Sequence, residues 1–191
     1  LILGDNLFYG KDFTKTFQRI SHSNSGATVF AYRVSDPERY GIIDWELDKY
    51  GSYNITSIEE KPLKPKSNYA LTGLYFYDEK VVDFASKLLP SSRGELEITN
   101  INEMYLKSGE LNLEIIGRGC AWLDTGTCDS LHEAGSFIRT LERRQALKIG
   151  CPEEVAWRMG WISDQDLINL AKDLSKSGYG SYLERLISEN I

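Results

Sequence analysis

Two aspartates stand where predicted strands end. Asp5 comes shortly after the apolar residues 1–3, and Asp124 directly follows Trp122 and Leu123. Magnesium is usually held by one or two carboxylates together with phosphates and water, so this pair could hold the ion beside a phosphorylated ligand. Taken singly, an aspartate after a glycine or at a loop start is more often a turn residue. The pair is a metal-site hypothesis that depends on its context.

A glutamate and a lysine stand side by side at the end of another strand-like stretch. Glu60 can accept hydrogen bonds from sugar hydroxyls, and Lys61 can pair with a phosphate as a point charge. The common alternative for residues 59–62, Glu-Glu-Lys-Pro, is a solvated patch of surface ion pairs. His22 and His132 match no catalytic pattern, and we interpret them as ordinary helix-surface histidines.

Strands and helices alternate along the first two thirds of the chain. Residues 1–3 predict a buried strand that ends at a loop. Further strands are predicted by β-branched and aromatic runs at 27–33, 40–45, 53–60, 69–77, 111–116 and 120–123. Helical spacing of apolar residues predicts helices around 13–20, 81–88 and 98–105. The runs 40–45 and 53–60 should pair as a hairpin, and the prolines at 62 and 65 predict a loop. This alternation predicts an α/β fold.

The chain changes character near residue 129. No convincing strand follows, and helical spacing is shown by Leu131, Ala134, Ile138 and Leu141. Pro152 can open a helix, Ser163 with Asp166 resembles a capping box, and the glycines at 178 and 180 should punctuate the chain before a last helix. We therefore predict an α/β core over residues 1–128 and a helical region over residues 129–191.

Composition narrows the class of protein. The chain has 191 residues, is 41% hydrophobic and carries a formal net charge of −6, which is enough apolar material for a core. It has no basic cluster, which argues against a nucleic-acid partner. The three cysteines form no metal-ligand spacing and suit a reducing, cytoplasmic setting. No apolar run approaches the roughly 20 residues that cross a bilayer, so no membrane partner is expected. The chain opens inside an apolar run and is interpreted as a piece of a longer protein.

Several clusters occur in an order that resembles glucose-1-phosphate thymidylyltransferases. They are Leu-Gly-Asp-Asn at 3–6, Glu-Arg-Tyr-Gly at 38–41, Glu-Glu-Lys-Pro at 59–62, the run 68–78, Arg-Gly-Glu-Leu-Glu-Ile-Thr at 93–99, and Trp-Leu-Asp-Thr-Gly-Thr at 122–127. The resemblance covers essentially the whole chain. It implies a Rossmann-like nucleotide-diphospho-sugar transferase fold, with a mixed sheet flanked by helices and a C-terminal helical subdomain. It also implies an enzyme that transfers a thymidylyl group from dTTP to glucose 1-phosphate, giving dTDP-glucose and pyrophosphate, on the way to dTDP-rhamnose.

The resemblance also assigns roles to individual positions. It implies that Asp5 and Asp124 bind Mg²⁺ and that Lys61 completes the catalytic set. The substrate-binding positions it implies are Tyr40, Gly41, Glu60, Lys61, Leu71, Thr72, Gly73, Tyr75, Arg93 and Trp122. The glycines would allow close backbone approach to the ligand, and a guanidinium suits phosphate. Strand packing remains an open alternative for Tyr75, and core filling beneath the ligand for Trp122.

The family's reaction explains why no general base is needed. A sugar phosphate has a second pKa of about 6, so it is already an anion at neutral pH. Catalysis then requires two anions to be brought together in line while the charge of the displaced pyrophosphate is neutralised. Magnesium, lysine and arginine supply this, and a Ser-His-Asp arrangement is not required.

A second, regulatory nucleotide-sugar site is also implied by the resemblance. Matching positions are Tyr9, Gly10, Arg118, Glu154, Val155 and Arg158. Glu154 and Arg158 stand four residues apart, so an ion pair on a helix surface is the alternative. Because relatives are commonly tetramers, a homo-oligomer, most simply a tetramer, is expected.

The family's glycine-rich nucleotide signature, Gly-Gly-x-Gly-Thr-Arg-Leu, has no match among the sixteen glycines of the sequence. Since such a loop is the physical means of holding phosphates, we expect the chain alone to bind nucleotide poorly and turn over little. One alternative is a sugar-phosphate-binding or regulatory subunit without catalytic turnover. Another is a glycoside hydrolase that uses Asp5 and Asp124 as its carboxylate pair.

Overall fold

The computed structural model describes residues 1–11, 13–23, 25–91 and 94–189. The chain divides into two compact units, Leu1–Ser130 and Leu131–Ile191. The strands are β1 (Asn6–Tyr9), β2 (Ala27–Arg33), β3 (Gly41–Leu47), β4 (Tyr53–Glu60), β5 (Tyr69–Tyr77), β6 (Leu111–Ile116) and β7 (Ala121–Asp124). The helices are α1 (Phe13–Ser23), α2 (Lys80–Ser86), α3 (Ile98–Lys107), α4 (Cys128–Gln145), α5 (Pro152–Arg158), α6 (Asp164–Asp173) and α7 (Gly178–Glu189), with a 3₁₀ turn at Pro37–Arg39.

The first unit is built on a five-stranded mixed sheet in the order β4-β3-β5-β2-β6. β2 pairs parallel with β6, whereas the other neighbours pair antiparallel. β3 and β4 form the predicted hairpin, with Gly41 opposite Glu60. This mixed sheet with flanking helices confirms the predicted α/β class.

β1 and β7 form a smaller antiparallel sheet. The residues that precede β1 differ from the prediction. The burial predicted for residues 1–3 is wrong, because Leu1 is 64% exposed and Ile2 is 59% exposed. These residues do pair with β5: Ile2 forms an antiparallel bridge with Leu74, and backbone hydrogen bonds join Leu1 to Tyr75 and Leu3 to Gly73. The pairing ends at the turn at Gly4 and Asp5, and the regular strand β1 begins at Asn6.

Each face of the mixed sheet packs against apolar side chains. On one face Val29, Ile43, Leu71 and Tyr75 form a buried cluster. On the other, Phe17 of α1 meets Phe30 and Phe76, with ring centroids 5.9 and 5.7 Å apart. Burial of such aromatic and aliphatic side chains is the main favourable term in folding, and it fixes the strand order that positions the site.

The second unit has its own core. Leu167, Ala171, Leu183 and Leu186 are fully buried between α6 and α7. Ser163 and Asp166 form the predicted capping box at the start of α6. The glycines of the last helix differ from expectation, because α7 begins at Gly178 and contains Gly180. A Cβ on Gly180 would lie 2.6 Å from the carbonyl oxygen of Ala171, so its role is close helix approach rather than punctuation. No helix within the described residues is long and apolar enough to cross a membrane.

Candidate active site

A cavity of about 480 Å³ opens in the first unit where the β3–β4 hairpin, β5 and the β1–β7 pair meet. Of the positions predicted to carry chemistry, it is lined by Asp5, Tyr40, Gly41, Glu60, Lys61, Leu71, Gly73, Tyr75, Trp122 and Asp124. These residues are up to 119 positions apart in the sequence, from Asp5 to Asp124. The structure therefore brings the acidic, basic and aromatic candidates together in one place.

The hairpin supplies one wall of the cavity. Its register sets Gly41 opposite Glu60, and the Lys61 amide donates to the Tyr40 carbonyl at 3.0 Å. Thr99 of α3 donates its hydroxyl hydrogen to Glu60 Oε2. A Cβ on Gly41 would lie 3.1 Å from that same oxygen, so a glycine leaves room for the carboxylate. Backbone pairing and Thr99 together orient Glu60 toward the cavity.

Lys61 stands at the end of this wall in an unusual backbone conformation. Its φ is +42°, the left-handed region that non-glycine residues seldom occupy. Its side chain is exposed on the cavity rim, and its ammonium has no carboxylate partner within the described residues. Strained residues cluster at functional sites because the surrounding structure holds them there. Lys61 thus presents a cation that an anionic ligand can take up.

The paired strands β1 and β7 bring the two aspartates to the same end of a small sheet. Asn6 lies opposite Asp124, and Thr125 donates both its amide and its hydroxyl to the Asp5 carbonyl, at 2.9 and 2.8 Å. The Gly126 amide donates to Asp124 Oδ1 at 2.9 Å. The carboxylates of Asp5 and Asp124 both face the cavity as a result.

The Asn6 side chain makes hydrogen bonds to three other residues at this end of the cavity. Its Oδ1 accepts from the Gly73 amide at 3.0 Å and from Trp122 Nε1 at 2.5 Å, while its Nδ2 donates to Asp5 Oδ1 at 2.9 Å. One side chain therefore links β1, β5 and β7 and orients a candidate metal ligand. Gly73 was expected to allow approach of the ligand, but its missing side chain makes room for Asn6: a Cβ there would lie 2.7 Å from Asn6 Cγ.

Arg39 adds a second cation at the cavity. Its Nη1 lies 2.8 Å from Asp36 Oδ2, and its Nη2 lies 3.2 Å from Asp124 Oδ2. Its guanidinium also lies over the Tyr40 ring, 5.2 Å from the centroid. The pKa of Arg39 is raised, chiefly by the hydrogen bond to Asp36 and then by the neighbouring charges, so this side chain stays cationic.

Aromatic side chains form the floor of the cavity. Trp122 is only 8% exposed and packs with Ile42 and Ala70, so it fills the core and lines the cavity at once. Its ring centroid lies 5.2 Å from that of Tyr40. Burial, and then the charge of Glu60, raise the pKa of Tyr75 far above its ordinary value. Tyr75 is therefore a neutral hydroxyl beside the glutamate.

Asp5 and Asp124 are a donor set whose chemistry suits a magnesium ion. The described residues contain no cluster of three or more potential metal-ligating His, Cys, Asp or Glu side chains, which a structural metal site would need. Asp5 and Asp124 offer two carboxylates on one cavity, and magnesium commonly takes one or two carboxylates and completes its shell with phosphate and water. The carboxylates of the cavity also outnumber its cations, since Arg39 and Lys61 face Asp5, Glu60 and Asp124.

Some predicted positions lie elsewhere. Thr72 is fully buried and does not line the cavity, because strand alternation turns it away from the face of Leu71, Gly73 and Tyr75. Arg93 lies outside the described residues. The substrate-binding roles of both stay predictions.

The predicted regulatory positions are divided between the units. Tyr9, Gly10 and Arg118 belong to the first, and Glu154, Val155 and Arg158 to the second. Arg158 Nε lies 2.8 Å from Glu154, which is the helix-surface ion pair named as the alternative. A Cβ on Gly10 would lie 2.4 Å from Cys120 Sγ, so packing accounts for that glycine.

Sequence reasoning missed several residues that line the cavity. They are Leu3, Asn6, Arg39, Ile98, Thr99, Gly126 and Thr127. Asn6 and Arg39 stand inside the clusters that carry the family resemblance, and Thr99 ends the stretch 93–99. Their membership of those clusters was the available signal, but spacing alone did not reveal which side chains point inward.

Comparisons with known proteins agree with this architecture. The nucleotidyl transferase family model matches residues 1–140. The glucose-1-phosphate thymidylyltransferase of Neisseria meningitidis is 53% identical over 189 residues, which is 99% of this chain and 64% of that protein. The enzyme of the same name from Mycobacterium tuberculosis is 52% identical over 191 residues, again 64% of its length. The chain thus spans slightly less than two thirds of these curated relatives.

Solved structures show the same fold. A Bacillus anthracis protein described as a glucose-1-phosphate thymidylyltransferase, solved with sucrose, has 43% identity and a TM-score of 0.61, covering 71% of this chain and 52% of that one. A UDP-glucose pyrophosphorylase solved with UDP-glucose has a TM-score of 0.63 at 23% identity, covering 73% of this chain and 55% of that chain, which bears on the fold alone. The predicted Rossmann-like fold and the resemblance to glucose-1-phosphate thymidylyltransferases are confirmed, and the chain belongs to the nucleotidyl transferase family.

Proposed function

We propose that the full-length protein to which this chain belongs transfers a thymidylyl group from dTTP to glucose 1-phosphate, releasing pyrophosphate and giving dTDP-glucose. The observation that carries the proposal is a single cavity that combines Lys61, the Glu60 carboxylate and the aspartate pair. The names of the relatives at 52–53% identity support the choice of substrates.

In the proposed reaction an oxygen of the glucose 1-phosphate phosphate attacks the α-phosphorus of dTTP. A new phosphorus–oxygen bond forms, the bond to the β-phosphate breaks, and pyrophosphate leaves with the electron pair. Because the nucleophile is already an anion, no residue of the cavity has to remove a proton. The task of the protein is to position the reactants and neutralise charge.

The described residues divide this task between them. Lys61 pairs with the sugar phosphate, and its lack of a carboxylate partner leaves the ammonium available. Glu60, oriented by Thr99, accepts hydrogen bonds from sugar hydroxyls. Asp5 and Asp124 would hold magnesium, which, when bound, offsets the negative charge of the phosphates.

A binding measurement tests the role of Lys61 without requiring turnover. Charge-assisted hydrogen bonds contribute about 1.5–3 kcal/mol, so Lys61→Ala should weaken glucose 1-phosphate binding by about ten- to a hundredfold in isothermal titration calorimetry. Lys64→Ala is the matched control, because Lys64 is an exposed lysine three residues on that does not line the cavity. Equal affinity of the Lys61→Ala variant and the unmodified protein would remove Lys61 from the site.

Product analysis separates the alternatives. Pyrophosphate released on incubation with glucose 1-phosphate and dTTP supports thymidylyl transfer. Glucose 1-phosphate binding without pyrophosphate release, both by this chain and by a version extended at its N-terminus, would instead favour a sugar-phosphate-binding or regulatory subunit. Sugar released from a glycoside, lost in Asp5→Asn and Asp124→Asn, would favour the hydrolase.

Finer properties belong to the same proposal. We infer that the protein uses Mg²⁺, acts in the cytoplasm in dTDP-rhamnose biosynthesis and assembles as a homotetramer. The regulatory roles that the resemblance implies for Tyr9, Gly10, Arg118, Glu154, Val155 and Arg158 stay predictions. The family supports these inferences. Light scattering of the purified protein tests the oligomeric state, and dTDP-sugar titration of Arg158→Ala tests the regulatory role of Arg158.

A further inference from the structure

Arg39 competes for a carboxylate that the proposed magnesium site requires. Its Nη2 lies 3.2 Å from Asp124 Oδ2, while Asp124 Oδ1 accepts the Gly126 amide at 2.9 Å. Both oxygens of Asp124 therefore have a partner. A metal ion that uses Asp124 has to replace Arg39 at Oδ2 or share that oxygen with it.

Arg39 has a second carboxylate partner, Asp36, with which it can stay paired when it leaves Asp124. Its contact with Asp36 is shorter, 2.8 Å against 3.2 Å for Asp124. The Asp36 side chain makes no cap to the 3₁₀ turn that carries Arg39, so its carboxylate is available for this pairing. The guanidinium stacks on Tyr40 as well, which holds the side chain at the cavity when one partner is lost.

From this geometry we infer that Arg39 is a positioning residue that occupies Asp124 until a divalent cation binds, and that Asp36 sets how readily Arg39 leaves. The inference rests on the metal site of the proposed function but not on the reaction. Arg39 keeps the Asp124 carboxylate in place in the metal-free cavity, and its release to Asp36 leaves Oδ2 to the cation. The cost of releasing an exposed ion pair is small, so the exchange is reversible.

Manganese binding to the purified protein tests this directly, with free Mn²⁺ measured by electron paramagnetic resonance at about 0.15 M salt, where charges beyond about 8 Å are largely screened. Arg39→Gln should bind Mn²⁺ about two- to fivefold more tightly, as expected when an exposed ion pair no longer competes. Asp124→Asn should abolish the binding. Arg19→Gln is the matched control and should leave the Mn²⁺ affinity unchanged. Arg19 lies 2.7 Å from Glu114, and neither residue lines the cavity.

Asp36 provides a second arm that a general charge effect would not reproduce. Asp36→Asn should weaken Mn²⁺ binding, because Arg39 then depends on Asp124 alone. In the Arg39→Gln background the same substitution should have a clearly smaller effect. The inference is overturned if Arg39→Gln does not bind Mn²⁺ more tightly than the unmodified protein. It is also overturned if Asp36→Asn has the same effect with and without Arg39→Gln, or if neither the unmodified protein nor Arg39→Gln binds Mn²⁺ detectably. None of these outcomes depends on thymidylyl transfer, so failure here leaves the proposed reaction to its own test.

Discussion

Asn6 and Gly73 approach each other more closely than any side chain at position 73 would allow. The Gly73 amide donates to Asn6 Oδ1 at 3.0 Å, and a Cβ on Gly73 would lie 2.7 Å from that oxygen. The same oxygen accepts from Trp122, so a shift of Asn6 would disturb the floor of the cavity too. At the scale of single residues, this contact fixes the position of Asn6 beside Asp5 and Trp122.

A double-mutant cycle tests that dependence. Gly73→Ala should lower the free energy of unfolding by about 1–3 kcal/mol, because the new methyl group overpacks against Asn6. Asn6→Ala should cost a similar amount, about 1–3 kcal/mol, because the Gly73 and Trp122 donors lose their acceptor. The double variant should cost clearly less than the sum, since the clash disappears. Urea denaturation monitored by circular dichroism measures all three.

The control for the cycle is Gly117→Ala. A Cβ on Gly117 meets no atom within 4 Å, so this substitution should leave the urea midpoint nearly unchanged. Strict additivity of Gly73→Ala and Asn6→Ala would show that the two residues do not interact.

Residue types predicted much of the site, but side-chain direction could not be read without the fold. Lys61, Glu60 and the aspartates stood out because their chemistry suits phosphate, sugar and magnesium. Thr72 was included because it matched a family position that lines the site, although the two-residue alternation of a strand turns its side chain to the face away from Leu71 and Gly73. Asn6 and Arg39 were missed because spacing alone does not show that their side chains lie at the cavity.

The turn that follows β4 carries strain at the element scale. Lys61 has a φ of +42° and is followed by Pro62, whose ring restricts the preceding residue to extended conformations. Lys61→Gly should therefore raise the free energy of unfolding relative to Lys61→Ala, by about 1 kcal/mol. Both variants lose the ammonium, so the difference between their free energies of unfolding reports on the backbone conformation at position 61.

Thermal unfolding of the two variants measures this difference. The pair Lys64→Gly and Lys64→Ala serves as the control, because Lys64 is not among the residues with positive φ. There glycine should be neutral or destabilising. The same sign of difference at both positions would mean that the turn after β4 is not strained.

Elements with a strong periodic pattern were predicted well, and short or glycine-marked ones were not. The bounds of β2, β4 and β5 agree with the predicted runs at 27–33, 53–60 and 69–77. β1 was missed because the apolar residues 1–3 predicted a strand more strongly than residues 6–9 did. The sequence does not show that residues 6–9 pair with β7 in a separate sheet. Gly180 was predicted to precede the last helix. The sequence does not show that α7 approaches the backbone of α6 too closely at this position for a side chain to fit.

Shifted carboxyl and phenol groups make the whole molecule sensitive to pH in a definite direction. The hydrogen bond from Tyr105 lowers the pKa of Asp78, and the hydrogen bond from Tyr179 lowers that of Glu153. Burial raises the pKa of Tyr182 to about 12. A lowered carboxyl pKa contributes stability above the unfolded value of about 4, and that stability is lost as pH falls through the folded pKa. A raised tyrosine pKa contributes stability that is lost as pH rises above about 10.

The urea midpoint should accordingly be highest between about pH 5 and pH 9 and fall on both sides. Net charge acts in the same direction on the acid side: the formal charge of −6 at pH 7 reaches zero near the pI of about 5.1, and below it the 22 lysines and arginines repel one another. Protonation also removes the negative charge that strengthens the hydrogen bonds of Asp78 and Glu153, so both contributions should destabilise the fold below about pH 4.

Tyr105→Phe distinguishes these two contributions. It removes the hydroxyl that donates to Asp78 at 2.7 Å but keeps a ring to pack against Tyr77 and Phe84. The variant should be less stable than the unmodified protein at pH 7, and the two urea midpoints should converge as the pH falls through the lowered folded pKa of Asp78. A constant difference between them at every pH would mean that Tyr105 stabilises the fold by packing alone, and that the acid sensitivity has its origin in net charge.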